Sequence, residues 1–157
     1  MNALKKTKFA LTHRDARVDA LVSETDHKTL ATWARDCAER VLPYFEAAFP
    51  DDPRPRQALA ALQQWINTGV FKMAVIRKAA LDAHAAAREV GADSPARSAA
   101  RAAGQAVATA HVRTHAIGPA QYALQAIHRA SHAADTEAAL AEEREWQYQH
   151  LLALRGK

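Results

Sequence analysis

Cysteine is almost absent from the sequence of 157 residues, in which Cys37 is the single example. One cysteine excludes an internal disulfide bond and favours a reducing compartment. No run of about 18 apolar residues is present that would span a membrane, and no apolar run follows the basic N-terminal residues as it would in a signal peptide. These absences predict a cytoplasmic protein with no membrane partner.

Large aliphatic side chains are also scarce. Leucine, isoleucine, valine and phenylalanine together make up less than about a fifth of the residues, which on its own hints at disorder. Alanine, however, makes up about a quarter and recurs at helical spacing, and three tryptophans can anchor a core. Because alanine is the strongest helix former, we predict an all-α, compact single-domain bundle of about six helices with a poorly defined N-terminal segment.

Motifs typical of catalysis are missing. The sequence has no phosphate-binding glycine-rich loop, no Gly-x-Ser-x-Gly and no Cys-x-x-Cys. A solitary cysteine with scattered histidines is a poor basis for nucleophilic catalysis, and Cys37 lies on an apolar helical stripe, where a small buried hydrophobe is expected. The residues therefore predict neither a catalytic residue nor a cofactor.

Positive charge is confined to one end of the chain. The formal net charge is +4, and residues 1–17 carry all of it, so the remainder is neutral overall. We therefore divide the chain into a basic N-terminal arm at 1–24 and a helical bundle domain at 25–157. Nucleic-acid binding calls for basic residues clustered on the folded part, so this distribution argues against it, although binding through the arm stays an alternative.

The segment 94–118 is predicted to be one long central helix. Ser94 is its N-cap, Pro95 occupies its first turn and Gly118 ends it. Its helical wheel places small apolar residues on one face, with His111 on that face and His115 and Gly104 at its edge. The predicted core stripe comprises Ala100, Ala103, Val107, Ala110, Thr114 and Ile117. We therefore expect His111 to be at least partly buried.

The other helices follow from apolar residues that recur three and four apart. A proline-rich connection is predicted at 49–56, in which Asp52 caps the next helix. In the third helix, Met73 and Ile76 are expected to face inward. The predicted helices span 26–49, the segment from Asp52 to Gly69, 71–90, 119–134 and 136–154.

Histidines offer one alternative chemistry. His111 and His115 are four residues apart, a spacing that can bind one metal ion, and His84 could converge on them from the preceding helix. The glutamate of the His-Glu-x-x-His motif is missing, and Arg113 between the two histidines disfavours a cation. No metal is therefore predicted, and a metal-binding or hydrolytic site at these three histidines is kept as the alternative.

Arginines and aspartates offer a second candidate site. An anionic pocket with Asp51 and Asp52 could be lined by four arginines, namely Arg54, Arg56, Arg77 and Arg88. In the simpler interpretation these arginines bind the aspartates and helix ends, and so tie the connection to the bundle. The full set of candidate binding residues is Asp51, Asp52, Arg54, Arg56, Arg77, His84, Arg88, His111 and His115.

Several segments, in order, match a known pattern. They are Trp-Ala-Arg-Asp-Cys-Ala-Glu-Arg-Val-Leu at 33–42, Asp-Asp-Pro-Arg-Pro-Arg-Gln-Ala-Leu at 51–59 with Trp65, and the alanine-rich stretches 77–89, 99–116 and 122–127. This set resembles a bacterial family of putative immunity proteins, which are small all-helical domains thought to neutralise polymorphic toxins. The resemblance covers about residues 28 to 130. It implies binding of a cognate toxin protein without catalysis.

The charge pattern adds an expectation about that partner. Inhibitors of basic nucleases usually gain association rate from an acidic face, and the only acidic cluster here is Glu137, Glu142, Glu143 and Glu145 on the last helix. We therefore expect the toxin not to be a strongly basic nuclease bound through a wide acidic surface, unless that helix is the docking face. A homodimer is left open.

Overall fold

The computed structural model describes residues 4–156, in which seven α-helices and one 3₁₀ turn occur and no strand is present. The all-α class is thereby confirmed, and the helix number is one above the predicted value. The helices are α1 Ala16–Ser23, α2 His27–Glu46, α3 Arg54–Thr68, α4 Met73–Arg88, α5 Pro95–Ala108, α6 Ile117–Ala130 and α7 Thr136–Arg155, with the 3₁₀ turn at Arg113–Ala116.

Helix α5 lies at the centre of the bundle and packs against α2, α3, α4 and α6. Ser94 caps it by accepting a hydrogen bond from the backbone N–H of Arg97, and Pro95 occupies its first turn, as predicted. Its buried residues are almost all small: Ala96, Ser98, Ala99, Ala100, Ala102, Ala103, Gly104, Ala106 and Val107. Small side chains let the backbones of neighbouring helices approach closely, which explains how a core can form with few large aliphatic residues.

The predicted continuous helix over 94–118 is wrong, because α5 ends at Ala108. The chain then turns, and Arg113 holds the turn by donating to the carbonyls of Val22 and Thr25 at 2.8 and 2.7 Å. Gly118 is not a terminator but lies in the first turn of α6, where a Cβ would come within 3.0 Å of Gln105. Because the helix breaks before His111, that side chain is exposed, contrary to its predicted burial.

A second apolar cluster joins α1 and α7 to α2. Trp33 is fully buried there, and its indole N–H donates to the carbonyl of Gln147 at 2.9 Å. The Gln147 amide in turn donates to the carbonyl of Ala120 at 3.0 Å. These two bonds tie α2, α6 and α7 together around Trp33, and Cys37 is buried in the same cluster, as predicted.

The described part of the N-terminal arm folds onto α6. Gln121 is only 8% exposed, although the helical wheel assigns it to the polar side of its helix. Its amide donates to the carbonyls of Leu11 and His13 at 2.5 and 2.6 Å. Lys6 donates to the carbonyl of His128 at the end of α6, at 2.6 Å. The arm is thus held along α6 by hydrogen bonds in which a side chain of one segment donates to backbone carbonyls of the other.

Candidate binding surface

Arg54 attaches the proline-rich connection to the bundle through two carboxylates. Arg54 binds the carboxylate of Asp52 at 2.7 Å and also that of Glu89, which follows α4. Asp52 accepts the backbone N–H of Arg54 at 3.1 Å, but it is not the predicted N-cap of α3, because that position is occupied by Pro53. The hydrogen bonds from Arg54 lower the pKa of Asp52. Asp51 lies exposed beside them.

Arg56 serves a similar purpose on the other side of α3. Its guanidinium binds Glu39 and Glu46 of α2, each at 2.7 Å. Hydrogen bonds from Arg56 lower the pKa of Glu46. Both predicted arginines are therefore engaged by carboxylates that join α3 to its neighbours, which agrees with the simpler interpretation of this segment as a clamp.

His84 is packed between α4 and α5. Its Nδ1 lies 2.9 Å from an Nη of Arg101, and since guanidinium only donates, Nδ1 must accept. Burial, followed by the charges of Arg101 and Arg88, lowers the pKa of His84 from 6.5 to about 4. The imidazole is therefore neutral at physiological pH. Arg77 and Arg88 lie exposed at the two ends of α4.

The other two predicted histidines lie elsewhere. His111 is exposed and stacks on Phe71 with ring centroids 5.7 Å apart. His115 is also exposed, with its Nδ1 3.3 Å from the side-chain oxygen of Gln105. No group of three His, Cys, Asp or Glu side chains within residues 4–156 could hold a metal ion. The alternative metal cluster at His84, His111 and His115 is therefore not formed.

Three of the four glutamates of the acidic cluster on α7 are bound by other segments, and Glu142 is exposed without an ion pair among the described residues. Glu143 is only 5% exposed and receives two hydrogen bonds from Arg40, at 2.7 and 2.8 Å. Glu145 binds Arg17 at 3.0 Å, and Glu137 accepts from the hydroxyl of Thr7. Most carboxylates of the cluster therefore form ion pairs or hydrogen bonds that hold α1, α2 and the arm against α7.

An apolar surface that the sequence analysis did not identify lies where α3 connects to α4. Five of the nine large hydrophobic side chains that are exposed within residues 4–156 fall in this short stretch of sequence. Four of them, Val70, Phe71, Met73 and Val75, lie at the connection itself, and Leu81 follows further along α4. The predicted inward orientation of Met73 is wrong, because this side chain is 40% exposed. We call residues 69–77 the α3–α4 tip.

A groove of about 360 Å³ runs along the tip. Trp65 and Ile76 form part of its floor, and Val70 and Val75 line its edge. Gly69 ends α3 with a φ of 70°, a left-handed conformation that favours glycine. This turn directs Val70 away from the core and explains why the next residues are exposed.

Positive charge surrounds the tip. The sequence has no aspartate or glutamate between Asp52 and Asp82. Within residues 4–156, neither Lys72 nor Arg77 forms an ion pair, whereas Lys78 binds Asp82 at 2.5 Å. Lys28, an exposed residue of α2, brings its amino group within 3.8 Å of the position that a Cβ on Gly69 would occupy. The tip therefore combines exposed apolar side chains with unpaired cations.

A family model matches residues 20–154 and is described as Imm-5 like putative immunity protein. The chain belongs to this family. The match takes in α2 to α6 completely, the second half of α1 and nearly all of α7, so it includes the tip and the proline-rich clamp. Comparison with the curated proteins and with the solved structures finds no match. Membership supports an immunity role in general and the binding of a toxin partner.

One sequence signal could have located the tip. Residues 70–76 include five large apolar residues, and a single core-facing helical stripe accommodates only three or four in two turns. They are Val70, Phe71, Met73, Val75 and Ile76. Some of them must therefore face solvent once Gly69 has ended α3.

None of the described helices is long and apolar enough to cross a membrane.

Proposed function

We propose that this protein is a non-catalytic immunity protein that binds and neutralises a cognate bacterial toxin in the cytoplasm. The observation that carries the proposal is the family match over residues 20–154. It covers almost the entire helical bundle, so the proposed activity belongs to the bundle as a unit and not to an appended segment.

The environments of the most reactive side chains support binding over catalysis. Cys37 is fully buried, and burial raises the pKa of its thiol, which disfavours the reactive thiolate. His84 is held by Arg101 as a hydrogen-bond acceptor and packs against Gly104. Neither group is presented to a substrate with the adjacent base that nucleophilic catalysis needs.

The contacts of the basic arm argue against the nucleic-acid alternative. Lys6 binds carbonyls at the end of α6, and Arg14 binds Asp19 at 3.1 Å. Arg17 is shared between Asp15 and Glu145. Three of the five cations in residues 1–17 are thus engaged within the molecule, whereas a phosphate-binding arm keeps its charges free for counterion release. Only Lys5 and Lys8 are exposed without an ion pair among the described residues.

Co-expression tests the proposal. The candidate partners are the products of the genes that flank the one for this chain, each expressed from an inducible promoter, and the product that stops growth is taken as the toxin. Growth is measured with the full-length protein and, as a control, with an unrelated helical protein of similar size. The proposal expects growth to recover only with this chain, and a complex to be recovered from the purified components. Unchanged toxicity together with no complex would reject it.

A further inference from the structure

We propose that the α3–α4 tip is the toxin-docking surface, and that the toxin meets it with an apolar patch flanked by carboxylates. The inference rests on the immunity function proposed above and adds the location of the interface and the chemistry of the partner. Three observations carry it: the exposed apolar residues, the unpaired cations and the fixed shape of the tip.

The apolar residues of the tip are presented outward. Val70 is 60% and Val75 is 52% exposed, and both line the groove whose floor includes Trp65. A contiguous exposed apolar surface with a polar rim is typical of a site of protein association. Burial of these valines against a partner would remove apolar area from water, which is the dominant favourable term in association.

The cations of the tip determine the complementary partner. Lys72 and Arg77 lack carboxylate partners within residues 4–156, and Lys28 adds a third exposed cation beside Gly69. Oppositely charged surfaces accelerate encounter and fix the orientation of docking. A partner with aspartates or glutamates around its apolar patch would satisfy all three cations. A basic partner surface would be repelled.

The shape of the tip is fixed before any partner binds. The backbone N–H of Gly69 donates to the carbonyl of Trp65 at 2.7 Å, and that of Val70 donates to the hydroxyl of Thr68 at 3.2 Å. On one side the ring of Phe71 stacks on His111. A preorganised surface loses less conformational entropy on binding than a mobile one.

A second copy of this chain is a poor occupant of the same surface. In a two-fold symmetric dimer each tip would face an identical tip. Lys72 and Arg77 would then lie close to their own counterparts with no carboxylate of the tip to neutralise them. A partner protein of opposite charge is therefore favoured over self-association.

The experiment measures the affinity of purified full-length protein for the purified toxin from the neighbouring gene. One variant removes apolar area, Val70→Ser with Val75→Ser, and another reverses charge, Lys72→Glu with Arg77→Glu. Leu152→Ser, at an exposed leucine of α7, and Lys5→Glu, at an exposed lysine of the arm, are the matched controls. Unfolding midpoints verify that every variant remains folded.

We expect each tip variant to weaken binding at least about tenfold, because hot-spot residues dominate interface energies. The charge reversal should act mainly on the association rate, with a reduced dependence on salt. The controls should stay within about twofold of the wild type. Tight binding by all variants would overturn the location of the interface while leaving the immunity function intact.

Other outcomes separate the two proposals. A wild-type protein that does not bind the toxin would reject the immunity function and the docking surface together. Two further measurements without toxin, on the wild type and on Val70→Ser with Val75→Ser, test other occupants, namely light scattering and binding to vesicles rich in anionic phosphatidylglycerol. A dimer that Val70→Ser with Val75→Ser dissociates, or vesicle binding that this variant abolishes, would overturn the toxin as the occupant of the tip.

Discussion

The imidazole of His84 lies directly against Gly104, so closely that a Cβ on that glycine would be 2.7 Å from Nε2 of the ring. The contact brings α4 close to α5 at the centre of the bundle. Arg101, on the same helix as Gly104, holds the other ring nitrogen at 2.9 Å. The ring therefore cannot swing away from a new methyl group without losing this hydrogen bond.

The first prediction concerns Gly104→Ala. We expect this substitution to lower the free energy of unfolding by about 1–3 kcal/mol, because overpacking in a closely packed core forces neighbouring groups to shift. Chemical denaturation followed by circular dichroism measures the change.

A double-mutant cycle tests the cause. In a His84→Ala background the methyl group has room, so Gly104→Ala should cost much less and can even stabilise the helix through alanine's higher propensity. An equal cost of Gly104→Ala in both backgrounds would contradict the proposed contact.

The second prediction concerns the pH dependence of stability. Because the pKa of His84 is lowered to about 4 in the folded protein, the unfolded chain binds a proton between pH 6.5 and 4 that the folded chain does not. The stability contribution of neutral His84 is therefore complete above pH 6.5 and declines as the pH falls to 4. The loss should reach about 2 kcal/mol, allowing for partial solvent screening.

The control for this prediction is His84→Gln, which cannot titrate. Free energies of unfolding of both proteins are measured from pH 7.5 to 4. The carboxylates titrate in both proteins, so the difference between the two curves reports the titration of His84 alone. Parallel curves over this range would show that the pKa of His84 is not lowered in the folded state.

The third prediction compares two neighbouring glutamates of α7. Glu143→Gln should destabilise the fold by about 2 kcal/mol, because a nearly buried carboxylate loses its charge-assisted bonds to Arg40. Arg40 also lies over the ring of Trp146, with its guanidinium carbon 3.9 Å from the ring centroid, so its displacement disturbs that contact too. Thermal unfolding measures the effect.

Glu142→Gln provides the comparison for Glu143→Gln, because Glu142 is exposed and forms no ion pair among the described residues. Its substitution should change stability by less than about 0.5 kcal/mol. Similar small losses for both variants would mean that the bond between Arg40 and Glu143 is dispensable.

The fourth prediction concerns His111 and His128. His128→Ala should cost about 1 kcal/mol, because its Nε2 is bonded to the carbonyl of Thr7 at 2.7 Å and its ring contacts Phe9. His111→Ala should cost less than about 0.5 kcal/mol, since that side chain is exposed. Denaturation of both variants under one condition tests the order. A larger loss for His111→Ala would contradict the exposed position of this residue.

Local signals predicted most of the helices. Ser94 and Pro95 mark the start of α5, Asp26 caps α2 by accepting the backbone N–H of Thr29, and Gly69 ends α3. Each of these features depends on residues within one helical turn. Such short-range features can be recognised from the sequence alone, and their positions agree with the structure.

Long-range contacts account for the errors. The helix that was predicted to run to Gly118 breaks because Arg113 reaches carbonyls about 90 residues earlier in the chain. Gln121 is buried by the arm, which is also distant in sequence. Helical periodicity describes one helix at a time, so it cannot anticipate contacts that are made by remote segments.

The candidate site was only partly predictable for the same reason. The bond between Arg54 and Asp52 spans two residues and follows from the sequence. The alternative histidine cluster required three segments to converge, and the break after Ala108 prevents it. At the tip, the excess of apolar residues after Gly69 indicates that some of them face solvent. Which ones do so depends on the direction of the chain after Gly69, since that direction decides whether Val70 and Phe71 face the core or the solvent.

The most direct test of the central claim is a stoichiometric titration of toxin activity. The toxin from the neighbouring gene is held well above the dissociation constant, and its activity and intact mass are followed as purified protein is added. Neutralisation by binding predicts that activity falls linearly to zero at about one molar equivalent, with the toxin mass unchanged. Complete inactivation by a small fraction of an equivalent, or a change in toxin mass, would contradict the account and indicate an enzyme.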